Sequence, residues 1–220
     1  MYWRLLPHAT CCLAADRLVL LDLRQDRYFM VPQAVAGATL DWLLAKEHGA
    51  PPEAMTALLR SGAIFRTGDP PLRADEQATI DVSANLADRD PATSRATVAD
   101  CARVMALVTA TWAMLHLRSL DRILAQKLAQ RVDETDGREH LAVARAVAFD
   151  AVRRFSPLPR NCLLDSLALY AWLARDRIDV KLVFGVTAQP FAAHCWLQSG
   201  PVIVNDNYDR VSRFTPILNL

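Results

Sequence analysis

Pro157-Leu158-Pro159-Arg160-Asn161-Cys162-Leu163-Leu164-Asp165-Ser166-Leu167-Ala168-Leu169, residues 157–169, marks where the chain changes character. The prolines cannot continue a preceding helix, and Asn161 is a good N-cap for the next one. Cys162 therefore stands at the first position of an apolar helix that runs to about Ala174. Upstream the pattern is helical. Val104, Leu107, Val108, Trp112 and Leu115 trace one face of a helix that starts near Ala96, Leu120 to Val132 extends the helical character past a bend, and another helix runs from Glu139 to Phe155. Downstream the chain switches to strands at Val180 to Val186, Ala192 to Leu197 and Val202 to Asn205. Helices first and an antiparallel sheet afterwards predict an α+β domain.

The helix start bears on chemistry. Free backbone N–H groups and the helix dipole at that position favour a thiolate, and the same N–H groups can donate to a developing oxyanion. Arg160 next door adds positive potential. The competing reading of Cys162 is a small residue buried on an apolar helix, and position alone does not separate the two.

His194 tips the balance. It lies in Phe191-Ala192-Ala193-His194-Cys195-Trp196-Leu197, and Val202-Ile203-Val204-Asn205-Asp206 returns beside it after Ser199-Gly200-Pro201. A three-residue loop sets Asp206 opposite His194; a two-residue loop sets Asn205 there. Either side chain can orient the imidazole, and Asp209 is a more distant alternative. Cys162, His194 and Asp206 thus supply nucleophile, base and orienting group in the manner of an activated thiol. Ser166, one turn after Cys162, either supports the thiol or is buried against the sheet. Cys195 should face the other side of the sheet and read as core. Cys101 reads as core on its apolar helix, and Cys11-Cys12 as structural. His116 and His140 share no ligand spacing, and neither a metal nor a cofactor is expected.

The first seventy or so residues read as a separate unit. Arg17 to Leu23 and Arg27 to Val31 form a hairpin about Arg24-Gln25-Asp26, with a further strand at Cys11 to Ala14. Pro32 opens a helix carrying Leu40, Leu43 and Leu44 that ends at His48-Gly49; a second follows Pro51-Pro52, and Ala63 to Phe65 is a closing strand. This pattern suggests a small winged-helix-like module over residues 1–72. Residues 73–95, polar and bracketed by Gly68-Asp69-Pro70-Pro71 and Asp88-Arg89-Asp90-Pro91, read as a linker, and 96–220 as the main domain.

Composition excludes several classes. The chain has 220 residues, 52% hydrophobic and 22% charged, with a formal net charge of +1. That balance is globular and gives no global electrostatic reason to bind nucleic acid or an acidic membrane. Five cysteines without a CxxC pair and without a secretion signal argue against a disulfide framework. The most apolar internal run, Val104 to Leu115, is shorter than the roughly 20 residues of a membrane span. A soluble, cytoplasmic protein is expected.

Asn161 to Leu169 resembles the nucleophile helix of the lasso-peptide B proteins, as do Phe184-Gly185-Val186, Pro190 to Trp196 and Phe214-Thr215-Pro216-Ile217. The resemblance covers residues 96–220. It implies a transglutaminase-like, papain-like cysteine peptidase that removes the leader of a ribosomally made precursor, with an ATP-dependent macrolactam synthetase as partner. Val19 to Leu23 with Arg27-Tyr28-Phe29 is similar to the precursor-recognition domain of such systems, which implies that a leader strand adds to a sheet edge. Arg27, Tyr28, Phe29, Met30 and Val31 are the candidate edge. Asp165, where the family commonly has a basic residue, and Cys195, often smaller, are departures. A thioester-forming acyltransferase and a non-catalytic leader-binding scaffold are the alternatives, the first sharing the same three residues.

Overall fold

A computed structural model describes residues 2–31, 33–44, 62, 64–67, 97–128 and 138–220. By backbone contacts the chain divides into two compact units. One comprises residues 1–79, 185–193 and 215–218, and the other residues 80–184, 194–214 and 219–220.

In the first unit β2 (Ala9–Ala14), β3 (Arg17–Asp22) and β4 (Arg27–Met30) form an antiparallel sheet in that order. Leu18 to Leu21 on the central strand are all buried, the pattern of a strand covered on both faces. Two turns set the register. Ala15 and Asp16 both take positive φ, 46° and 59°, in the two-residue loop between β2 and β3. The Asp22 carboxylate accepts the N–H groups of Arg24 and Gln25 at 2.9 and 3.1 Å, which closes the loop to β4, and Asp26 completes it with φ 51°. Helix α1 (Gln33–Leu44) packs on β3 and on β1 (Tyr2–Leu5), and β1 pairs antiparallel with β5 (Ile64–Thr67). The β1–β5 pair was not visible in the sequence pattern. The expected helix after Pro51-Pro52, the helix end at His48-Gly49 and the 73–95 linker lie outside the described residues.

The second unit opens with α2 (Val98–Leu117), which starts two residues later than expected. Thr97 is its N-cap, and a reciprocal bond with Asp100 completes a capping box. At 20 residues it is longer than the apolar run at its centre, and it meets the length and composition of a membrane span. Its buried face, Val104, Leu107, Val108 and Thr111, packs on α4 (Glu139–Arg153) and α5 (Cys162–Arg175). Cys101, in the first turn of α2, is exposed. The core placement expected for Cys101 is wrong: the cysteine shares the stripe of Val104 and Val108, but burial begins only at Val104 and the turn before it is exposed. Helix α3 (Leu120–Leu128) covers the described part of the Leu120 to Val132 reading, whose last residues lie outside the described set.

Helix α5 is apolar almost all round and buried accordingly, with Leu167, Ala168, Leu169, Trp172 and Leu173 at 0% exposure. After it come β6 (Lys181–Ala188), β7 (Phe191–Ser199), β8 (Val202–Ile203), a short α6 (Tyr208–Val211) and β9 (Thr215–Asn219). The sheet order is β8-β7-β6-β9. Strand β9 places the expected Phe214 to Ile217 segment beside β6. Val183, Trp196, Ile203 and Val211 make a cluster with Phe214 packed against it. Helices with an antiparallel sheet confirm the α+β reading at this level.

Candidate active site

Cys162 is the first residue of α5, as its sequence context predicts. Asn161 caps the helix with an extended backbone, and its side-chain oxygen accepts the N–H groups of Leu163 at 2.8 Å and Leu164 at 3.4 Å. The N–H of Cys162 itself has no acceptor within the helix, as for every residue of a first turn.

His194 sits on β7 with 5% exposure, and its Nε2 bonds Asp206 Oδ2. The orienting residue arrives by a route other than the one the loop arithmetic predicts. The β7–β8 loop has two residues, Gly200-Pro201, with Gln198 opposite Ile203 and Ser199 opposite Val202. Continued, that register would bring Asn207, not Asn205, opposite His194. Strand β8 instead ends at Ile203, and the chain bends through Val204, Asn205 and Asp206. The bend swings the Asp206 carboxylate onto the imidazole. Asn205 turns the other way: its Oδ1 accepts the Leu197 N–H at 2.7 Å, and its Nδ2 donates to Ser166 Oγ at 2.9 Å. Ser166 is fully buried and donates to the Cys195 carbonyl at 3.3 Å.

Cys162, His194 and Asp206 line one cleft of about 670 Å³, together with Phe149, Asp165, Cys195 and Arg210 among others. Cys195 is core, as expected, at 3% exposure, yet it also borders this cleft beside Cys162. With Nε2 held by the carboxylate, Nδ1 is the imidazole nitrogen left for the thiol.

The electrostatics follow from these neighbours. The Cys162 thiol is lowered to about 4. The largest cause is a hydrogen bond from the Cys195 side chain; burial opposes it, and His194 and the Cys195 backbone N–H add to it. The same contact, with burial, pushes the Cys195 thiol well above its ordinary range, so Cys195 stays protonated and acts as donor. Burial alone would lower the His194 pKa. Hydrogen bonds to Asp206 and Cys162 outweigh it and raise the imidazole to about 9. Asp206 resists its own burial through His194, the Asn207 N–H and Arg210, and stays below the usual carboxylate range. Near neutral pH the resting pair is thiolate and imidazolium.

Arg160 does not lend a free charge to the thiol: it pairs with Asp150 at 2.5 Å and Asp165 at 3.4 Å. Asp209 lies on α6 and does not replace Asp206 at His194. Sequence reasoning missed Cys195, whose thiol is a partner of the Cys162 sulfur, and Asn205 as the anchor of the bend. Strand β4 is an edge of its sheet. Arg27 and Met30 on it are exposed and Tyr28 and Phe29 half-buried, whereas Val31 is buried and spends its N–H on Leu18. Among the described residues no group of His, Cys, Asp and Glu side chains could hold a metal ion.

The model of the transglutaminase-like superfamily matches residues 104–219. Over 68 residues the chain is 34% identical to the microcin J25-processing protein McjB of Escherichia coli, a span that is 31% of this chain and 33% of that relative. The chain thus spans about a third of the length of the curated relative it matches. No solved structure matches.

Proposed function

From a chain that belongs to the transglutaminase-like superfamily, we propose a cytoplasmic cysteine peptidase that removes the leader from a lasso precursor peptide, with Cys162 as nucleophile, His194 as acid–base and Asp206 as orienting group. The observation that carries the reading is the imidazole of His194, bonded on one side to Asp206 and paired on the other with a thiol lowered to about 4. Similarity to a microcin-processing protein supports the substrate class.

In this mechanism the Cys162 thiolate attacks the scissile carbonyl, and the oxyanion forms beside the N-terminus of α5, where the Cys162 N–H is available. His194, already protonated, gives its proton to the departing amine of the core peptide. The leader remains as a thioester on Cys162. Water, losing a proton to His194, hydrolyses that ester and returns the thiolate. Asp206 holds the tautomer and stabilises the imidazolium throughout, the role such a carboxylate has in a triad.

Residues 1–72 act, in this reading, as a winged-helix-like recognition domain joined by residues 73–95, with a leader strand adding to β4 over Arg27 to Val31. The freed core passes to an ATP-dependent macrolactam synthetase. A mass-spectrometric assay with a precursor encoded beside the gene tests the proposal. Leader and core should appear with the wild type and not with Cys162→Ala. A precursor that is bound but left intact by both proteins, with or without the synthetase, would favour a leader-binding scaffold.

A further inference from the structure

We propose that Arg153 is a positioning residue for Cys162, acting through Asp165 and the turn that enters α5; this rests on the reading of Cys162 as nucleophile. Arg153 is the last residue of α4, and its side chain is 0% exposed. Each of its three guanidinium nitrogens donates a hydrogen bond. Nε donates to Asp165 Oδ1 at 2.6 Å, Nη1 to the Leu158 carbonyl at 2.9 Å and Nη2 to the Pro159 carbonyl at 2.8 Å.

Those acceptors flank the nucleophile on both sides. Leu158 and Pro159 lie in the segment leading into α5, and Asp165 lies one helical turn after Cys162. One buried fork therefore joins the end of α4, the entering turn and the first turn of α5. Arg160 makes a second tie, from Asp165 to Asp150, but its side chain is 55% and that of Asp150 65% exposed. Exposed ion pairs hold little. The buried branch fixes the geometry.

Stability alone does not account for this arrangement. A buried ion pair loses much of its attraction to desolvation, and apolar replacements of similar volume are often neutral or stabilising. What a guanidinium adds is a rigid planar fork that sets a carboxylate and two carbonyls in one geometry, which an ammonium cannot do. Alignment matters here because the polar tie between the two halves of the site, Asn205 to Ser166, meets α5 one turn beyond Cys162 and leaves the entry to the helix to be fixed by other contacts. His194 is held by Asp206 on the β7–β8 side, while the position of the sulfur depends on where α5 begins. A misplacement of about 1 Å in such a pair can cost on the order of 100-fold in rate.

The test compares wild type with Arg153→Lys and with the apolar pair Arg153→Met plus Asp165→Leu. Iodoacetamide alkylation of Cys162 is followed by peptide mass across pH 4–9, the range set by the two groups of the pair. Thermal unfolding and kcat and KM for precursor cleavage are measured alongside. Both variants should unfold cooperatively, lose at least about tenfold in alkylation rate at pH 6 as the thiol returns toward its ordinary range, and lose kcat with KM unchanged. A folded variant that keeps the wild-type alkylation profile overturns the proposal. So does failure of both variants to fold, which would make Arg153 a purely structural clamp. Alkylation needs no peptide substrate, so the two readings fail differently: an ordinary titration of Cys162 in the wild type removes the nucleophile reading, and this proposal with it.

Discussion

Asn205 donates to Ser166 Oγ at 2.9 Å, and this bond pins the bend that carries Asp206 to the helix that carries Cys162. The two halves of the site thus meet twice, once through the reacting side chains and once through this polar pair behind them. Ser166 passes the connection on to the Cys195 carbonyl, and Asn205 closes it at the Leu197 N–H.

Asn205→Ala should therefore damage both stability and rate. It leaves the Leu197 N–H and Ser166 without their partner, a loss of about 1–3 kcal/mol for a buried unsatisfied group. Urea unfolding checks the first effect. The second is a fall in kcat with the His194 imidazole, read by NMR, titrating below its wild-type value as Asp206 loses its fixed position.

The charge pair predicts a bell-shaped dependence of kcat/KM on pH. A group lowered from the usual thiol range to about 4 is lost as pH falls through that value, and one raised to about 9 is lost as pH rises through it. Activity should plateau between these limits, which belong to the coupled pair rather than to either residue alone. Asp206→Asn removes the carboxylate that raises the imidazole, so the alkaline limb should move down in pH. A loss of roughly 10²–10⁴ in kcat should accompany it, the range for removing an orienting carboxylate or a general acid–base.

Cys195→Ala removes the strongest single influence on the Cys162 thiol. The acid limb should move up in pH, and alkylation of Cys162 at pH 5 should slow. Because His194 remains, alkylation should stay faster there than that of Cys101, an exposed cysteine on α2. An unchanged acid limb would mean that the Cys195 thiol does not donate to Cys162.

The helix start at Cys162 was legible because local rules suffice: two prolines stop one helix, and an asparagine caps the next. The hairpin of β3 and β4 was legible for the same reason. The Asp206 route was not. Gly200-Pro201 made a two-residue loop where either two or three residues could serve, and the strand stopped early because Asn205 found Leu197 across the hairpin and Ser166, a partner far away in sequence. Cys101 misled because cysteine on an apolar helix is usually buried, and periodicity says which side a residue takes but not how far along the helix burial extends. Cys195 was read from strand alternation alone, which says which face a residue takes but not that a cleft opens at its end. The β1–β5 pair joins residues some sixty positions apart, and no short-range signal announces it.

The most direct test of the central claim is an acid quench during turnover of the precursor, followed by intact-mass and peptide-mass analysis. The account predicts a transient adduct of the leader, one water lighter than the free leader, on the peptide containing Cys162. It should be absent in Cys162→Ala, which should release no core. Core released by Cys162→Ala, or an adduct on another residue, would contradict the account.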